Sequence, residues 1–200
     1  MREIERKYDV PDGFVLPPLQ RPGWLVTDSG TVHMSATYYD TADFRLAKAG
    51  TTLRRRTGGK DAGWHLKVPS GAEREEIALP LDDGDRVPAE LVAQVLAHTG
   101  GAALAPVALL ETARTIRVVS ATDGTGLVEV VDDLVRSRRL DRLDRLGRDD
   151  AREWREVEAE LLTPDLDEAL AIVGKLLMAA GATPSGHASK LAQALGGDAG

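Results

Sequence analysis

Charged residues spaced by two open this chain: Glu3-Ile4-Glu5-Arg6-Lys7. Successive side chains of an extended strand point to opposite faces, so Glu3, Glu5 and Lys7 share one face. Ile4, Arg6, Tyr8 and Val10 take the other. The spacing returns at Arg54 and Arg56, at His65 and Lys67, and at Glu156, Glu158 and Glu160. The faces opposite these charges, with Ile4 and Tyr8, Trp64, Leu66 and Val68, and Val157 and Leu161, are apolar enough to pack beneath helices. Antiparallel strands of this kind commonly turn their polar side to water. Here acids and bases fall on different strands of the same chain, which suits a metal and a polyanion held between them.

The remaining pattern predicts an α+β chain with roughly eight strands and two main helices. A first strand over 2–10 stops at Pro11-Asp12-Gly13. Strand signals follow at Trp24–Thr27 and Thr31–Tyr39, and Asp40-Thr41 is placed to cap a helical turn over Ala42–Ala49. Thr51–Thr57, Gly63–Val68 and Glu73–Leu81 are closely spaced strands joined by Gly- and Pro-rich turns, as in a meander. Leu91, Val92, Val95 and Leu96 then share a helical face within Val87–Thr99. Strands return at Val107–Ser120 and Gly126–Ser137 around an Asp123-Gly124 turn, and again at Trp154–Leu162. Residues 141–152 are dense in charge and read as a solvated loop or surface strand. Thr163-Pro164-Asp165 starts a helix to about Ala180, and Ala188–Leu195 is a short final helix. Residues 1–195 read as a single domain and 196–200 as a disordered tail or the start of a linker. Two architectures fit: a sheet with its polar face in water, or a closed barrel with a charged interior.

A net charge of −7 argues against a nucleic-acid or anionic-membrane binder, because both need a basic surface. It leaves room for a small anion in a basic cavity. The absence of cysteine excludes disulfides, zinc–thiolate sites and a cysteine nucleophile. No signal-peptide pattern and no membrane-length apolar run are visible, so a cytoplasmic location is expected. His33, His98 and His187 fall in separate elements and form no metal set; His65 shares a face with Lys67 and reads as a lone polar filler.

Charged faces turned inward without a ligand would cost several kcal/mol per unpaired ion, on the order of what buried ions cost generally. A wide, wet tunnel filled by divalent cations and a polyanion avoids that. Carboxylate oxygens suit hard Mg²⁺ or Mn²⁺, and Arg and Lys suit phosphate oxygens.

The residues resemble the CYTH superfamily, the triphosphate tunnel metalloenzymes. Glu3-Ile-Glu5-Arg-Lys7 is similar to that family's N-terminal ExExK signature. The likeness continues through Tyr38-Tyr39-Asp40-Thr41, Thr52-Leu53-Arg54-Arg55-Arg56, Gly63-Trp64-His65-Leu66-Lys67, Arg74-Glu75-Glu76-Ile77, Glu156-Val157-Glu158 and Ser189-Lys190-Leu191. ExExK alone is weak; the ordered set spans nearly the whole chain. The resemblance implies an eight-stranded antiparallel β-barrel forming a tunnel, flanked by helices, that hydrolyses a triphosphate with Mg²⁺ or Mn²⁺. It implies metal ligation by Glu3, Glu5, Glu76, Glu129, Asp132, Glu156 and Glu158, with Asp133 an alternative to Asp132. Lys7, Arg54, Arg56, Lys67 and Lys190 would hold the triphosphate, and Glu3, Glu5 and Lys7 would lie nearest the chemistry. Some relatives carry a helical CHAD domain after this one, which Gly196–Gly200 would lead into.

One stretch departs from the family pattern. Where many relatives place two bases spaced by two, the matching positions here read as Glu111 and Ala113, with Arg114 on the opposite face unless a one-residue slip with a bulge brings it in. A divalent-metal-dependent triphosphatase acting on inorganic triphosphate or a short polyphosphate is the leading expectation, its turnover put in doubt by Glu111 and Ala113. A non-catalytic polyphosphate- or nucleotide-binding module is the alternative, and a class IV adenylyl cyclase a third reading.

Overall fold

The computed structural model describes residues 4–70, 73–82, 84–141, 151–187 and 189–196. Glu3, most of the charge-dense 141–152 stretch and the tail from 197 lie outside the described residues. The strands are β1 (Glu5–Asp9), β2 (Trp24–Asp40), β3 (Thr52–Thr57), β4 (Gly63–Ser70), β5 (Glu73–Leu79), β6 (Ala105–Ala121), β7 (Gly126–Arg139), β8 (Arg152–Leu161) and β9 (Thr183–Pro184). The helices are α1 (Arg45–Lys48), α2 (Ala89–Gln94), α3 (Leu96–Thr99), α4 (Asp167–Ala179) and α5 (Lys190–Leu195). All strands join one antiparallel sheet in the order β5-β4-β3-β2-β6-β7-β8-β1-β9.

The sheet curls until its opposite edges line one space. Glu5 and Lys7 of β1 and Glu76 of β5 border the same cavity, although no ladder joins β5 to β1 among the described residues. The expected antiparallel tunnel with flanking helices is present; among the described residues it is built from nine strands rather than eight and is not closed by hydrogen bonds along one seam. The reason lies at β1, whose free edge is taken by Thr183 and Pro184 (Asp9 opposite Thr183, Tyr8 opposite Pro184). Ser185 N also donates to Lys7 O at 2.9 Å. Pro184 has no amide proton, so the ladder ends there.

A bulge sets which side of β2 faces in. Asp28 pairs with Arg117 and Thr31 with Thr115, so β2 carries one extra residue against β6. Gly30 has φ +79° and donates its amide to Asp28 Oδ1 at 2.8 Å. An extra residue flips the alternation. Trp24 and Val26 before it pack outward against the α4 layer, whereas Val32 and Met34 after it face the cavity. The two strand signals of the sequence are one bent strand.

Three apolar layers close the remaining sides. Outside β1, β7 and β8, Tyr8, Val128, Val130, Val157 and Ala159 pack with Leu170, Val173 and Leu177 of α4. Outside β2–β4, Tyr39, Leu53, Trp64 and Leu66 pack with Leu46, Leu91 and Val95. The predicted helix over Val87–Thr99 is two short helices that meet at Val95. Asp40 takes over the capping of α1, accepting from the amides of Leu46 and Ala47, both at 2.9 Å. Inside, Ala36, Tyr38, Leu110 and Val135 pack with Leu191, Ala194 and Leu195, so α5 plugs one end of the tunnel. No helix among the described residues is long and apolar enough to cross a membrane.

Gly174 lets α4 sit on β1: a Cβ there would overlap the Tyr8 hydroxyl, and Tyr8 is only 3% exposed. Glycine-to-alanine within a helix ordinarily gains about 1 kcal/mol. Overpacking against a fixed ring costs about 1–3 kcal/mol and decides the sign. Gly174→Ala is therefore expected to lower the urea unfolding midpoint; a raised midpoint would show that α4 is free to shift.

Candidate functional site

Strand parity delivers charge to one cavity of about 700 Å³. Glu5 and Lys7 come from β1, Arg54 and Arg56 from β3, His65 and Lys67 from β4, Glu76 from β5, Arg114 from β6, Glu129 from β7, and Glu158 and Glu160 from β8. Lys190 enters from α5. A second hollow of about 450 Å³ lies across the outer faces of β2, β6 and β7, bordered by His33, Ser35, Glu111, Ala113, Leu134 and Arg136. It gathers no comparable set.

Behind Glu158 and Lys190, which line the deep end of the cavity, lies a buried acidic cluster. Asp133, Glu156 and Glu158 each bring a carboxylate oxygen within 4.8 Å of the others, and all three are buried. Asp133 and Glu156 are cross-strand partners on β7 and β8. The Lys190 ammonium lies among them, 2.5 Å from Glu156, 2.8 Å from Glu158 and 3.0 Å from Asp133. Arg114 forks onto Asp133 through Nε at 2.8 Å and Nη2 at 2.7 Å, and reaches Glu158 at 3.2 Å. Lys7 lies 3.0 Å from Glu158 and 3.4 Å from Glu5. The oxygen donor set and its close spacing fit a hard divalent cation, and the ammonium at its centre marks it as a place where a cation is held.

Bases dominate the β3–β4 wall. Arg54 Nη1 donates to the Tyr38 hydroxyl at 3.3 Å, and its buried Nε meets no partner. Arg56 pairs with Asp61. His65 lies between the Asp61 carbonyl, 2.8 Å from Nε2, and Glu76 Oε1, 2.7 Å from Nδ1. Lys67 lies 3.8 Å from Glu76. Towards the open end, Glu129 meets the exposed Lys60 at 3.1 Å.

Two expectations are corrected by register. Asp132 is on the outer face, where Arg155 donates to it at 2.8 and 2.7 Å; Asp133 is the acid that faces in. On β6 the inward set is Thr112, Arg114 and Ile116, while Glu111 and Ala113 border the outer hollow. The alternation separates Arg114 from Ala113 as expected, and of the two it is Arg114 that lines the cavity. β6 therefore supplies one base, and Ile116 occupies the cavity wall beside it. Asp61 was missed because it lies in the β3–β4 turn; its only signal was its place between two charged strands. Tyr38, in the Tyr38-Tyr39-Asp40-Thr41 stretch, joins the site through Arg54.

The electrostatics follow the packing. Burial opposes the charged form of Lys190, but Glu158, Asp133 and Glu156 outweigh it and raise its pKa. Burial likewise opposes the Glu158 carboxylate, and Lys190, Lys7 and Arg114 pull it well below the usual range. Burial would raise the Tyr38 phenol, yet the Arg54 guanidinium beside it holds it below its ordinary value. Glu76 is disfavoured by burial but falls to about 2 through its hydrogen bond from His65 and the charge of Lys67.

The CYTH domain family model matches residues 1–194. The chain belongs to the CYTH family. An uncharacterized protein of Mycobacterium tuberculosis is 40% identical over 205 residues, covering 97% of the CYTH chain. The chain spans only 40% of that relative's length. A candidate adenylate cyclase from Vibrio parahaemolyticus shares the fold at TM-score 0.55 and 17% identity, covering 98% of each chain. One from Bacillus halodurans does so at TM-score 0.53 and 17% identity, covering 96% of each. At such identities the likeness concerns the fold.

Two outcomes follow from this register. Asp133 is fully buried against two cations, so Asp133→Asn should destabilise by about 3–5 kcal/mol, the usual result of breaking a buried ion pair. The Asp132 pair is partly exposed and should cost about 1 kcal/mol or less. Denaturant unfolding of both variants checks this, and equal losses would place the wrong acid inside. Because the folded pKa of Glu76 is depressed, its contribution is fully present above about 4.5 and is lost as pH falls towards about 2. Glu76→Gln should flatten the acid limb of the stability curve in that window; an unchanged limb would contradict the His65–Glu76 contact.

Proposed function

We propose that this CYTH chain holds a triphosphate-containing small anion in its tunnel together with Mg²⁺ or Mn²⁺ and hydrolyses a phosphoanhydride bond. The observation that supports this most is the pairing, across one cavity, of a buried carboxylate cluster with a wall of guanidinium and ammonium groups. Asp133, Glu156 and Glu158 would hold the divalent ion, with Glu5 and Glu129 nearer the open end. Such an ion, when bound, neutralises phosphate charge and lowers the barrier to attack by water. Arg54, Arg56 and Lys67 would bind phosphate oxygens, the guanidinium forks taking two oxygens at once. Tyr38 accepts from Arg54 and so fixes that fork, leaving its own proton to donate to the anion. Arg54 and Arg56 stand where negative charge would gather during bond cleavage. The plug formed by α5 and the apolar wall around it exclude bulk water from the deep end, which strengthens each of these contacts.

Inorganic triphosphate or a short polyphosphate is the substrate class this wall favours. Among the described residues lining the cavity, the aromatic rings are Tyr38, whose hydroxyl accepts from Arg54, and His65, which lies between Asp61 and Glu76. Neither Trp nor Phe is among the described lining residues, which favours a compact polyanion over a purine nucleotide. The acidic net charge weighs against nucleic-acid and membrane partners.

Phosphate release from inorganic triphosphate with Mg²⁺ or Mn²⁺ tests the proposal. Glu158→Gln and Arg54→Gln should each lower kcat by about 10²–10³, as loss of a transition-state contact does. Asp132→Asn should retain wild-type turnover. Triphosphate binding without release would make the chain a binding module, and cyclic nucleotide formed from ATP would make it a cyclase.

A further inference from the structure

The charges at the deep end of the tunnel cancel without a metal. Asp133, Glu156 and Glu158 contribute three negative charges, and Arg114, Lys7 and Lys190 three positive ones. Two of these cations are fixed by the sheet: Arg114 lies directly opposite Asp133 on β7, and Lys7 directly opposite Glu158 on β8. Lys190 is different. It alone among the three touches all three carboxylates, and it comes from a helix rather than a paired strand.

The seat of α5 does not depend on that contact. Leu191, Ala194 and Leu195 are buried, and Ser189 Oγ accepts from the Ala192 amide at 3.1 Å. Arg139 donates to the Leu195 carbonyl at 3.0 Å and Arg152 to that of Gln193 at 3.3 Å. A flexible four-carbon stem can therefore carry the ammonium away while the helix stays. Lys190 borders the same cavity as Arg54 and Lys67, so the wall that would hold the anion is open to it.

We propose that Lys190 is the resident stand-in for the divalent cation: it yields the carboxylates to the metal and turns to the anion, making the site select a metal–triphosphate unit over either ion alone. This rests on the triphosphate reading of the tunnel. Coupling of two ligands through one residue is reciprocal. A cation that frees Lys190 strengthens anion binding, and an anion that draws Lys190 away uncovers the carboxylates. Metal alone meets an occupied site, and triphosphate alone meets a lysine already engaged.

The test is Mn²⁺ binding followed by electron paramagnetic resonance, and triphosphate binding by calorimetry in EDTA, on the wild-type chain, Lys190→Met and Lys190→Arg. Lys190→Met should bind Mn²⁺ alone on the order of tenfold more tightly, and metal-free triphosphate about tenfold more weakly, within the usual range of such couplings. Lys190→Arg, which keeps the charge, should leave Mn²⁺ affinity near wild type. Heat unfolding adds a reading on folded protein: Mn²⁺ should raise the midpoint of Lys190→Met more than that of wild type. Unchanged or weaker Mn²⁺ binding by Lys190→Met overturns the proposal, and so does a wild-type chain that binds no Mn²⁺ even with triphosphate present. Hydrolysis by the wild type with unchanged Mn²⁺ affinity in Lys190→Met would remove this inference and leave the triphosphatase reading. Tighter Mn²⁺ binding without any hydrolysis would do the reverse.

Discussion

Asp133, Glu156 and Glu158 lie buried within reach of one another, and like charges so close repel unless cations stand between them. Much of the molecule meets that need. The β6–β7 register puts Arg114 opposite Asp133, the β1–β8 register puts Lys7 opposite Glu158, and α5 brings in Lys190. Replacing any one of the acids would leave a buried cation unpaired, so the charge inventory also constrains how the strands pair. The same arrangement that holds the fold together would, on the proposed reading, also serve a metal and an anion.

Alternation does the sorting. On β1, β3, β4 and β8 the outward apolar residues Tyr8, Leu53, Trp64, Leu66, Val157 and Ala159 pack in the outer layers while their neighbours bring charge inward. The apolar layers beneath α4 and beneath α1–α3 thereby fix which face is outside. Plugging by α5 turns the trough into a one-ended tunnel, and the bulge at Asp28–Thr31 keeps the long β2 strand in step with it. Function and packing are written in alternate letters of the same strands.

That is why much of the site was legible and some was not. On β1, β3, β4 and β8 one face carries most of the charge, so spacing groups Glu5, Lys7, Arg54, Arg56, Lys67, Glu156 and Glu158 on shared faces, while the family resemblance is what turns those faces inward and gives them roles. Glu3 falls outside the described residues. On β7, acids stand at both Asp132 and Asp133, and spacing cannot choose between adjacent positions. The choice is made across strands by Arg155, which takes Asp132 to the outer face. On β6, Glu111 and Arg117 are charged on one face and Arg114 on the other, so the inner face depended on pairing with β7. The open seam was hidden for a similar reason: a two-residue strand at Thr183–Pro184 carries almost no pattern, yet it occupies the edge that closure would need.

The central claim is that carboxylates and bases facing each other across this tunnel form one metal-and-polyphosphate site. Its most direct test is a crystal grown with Mn²⁺ and inorganic triphosphate, with data collected at the manganese absorption edge. The account predicts an anomalous peak among the carboxylates of Asp133, Glu156 and Glu158, with anion density against Arg54, Arg56 and Lys67. Manganese bound elsewhere, or triphosphate on the outer surface of the sheet with the tunnel unchanged, would contradict it.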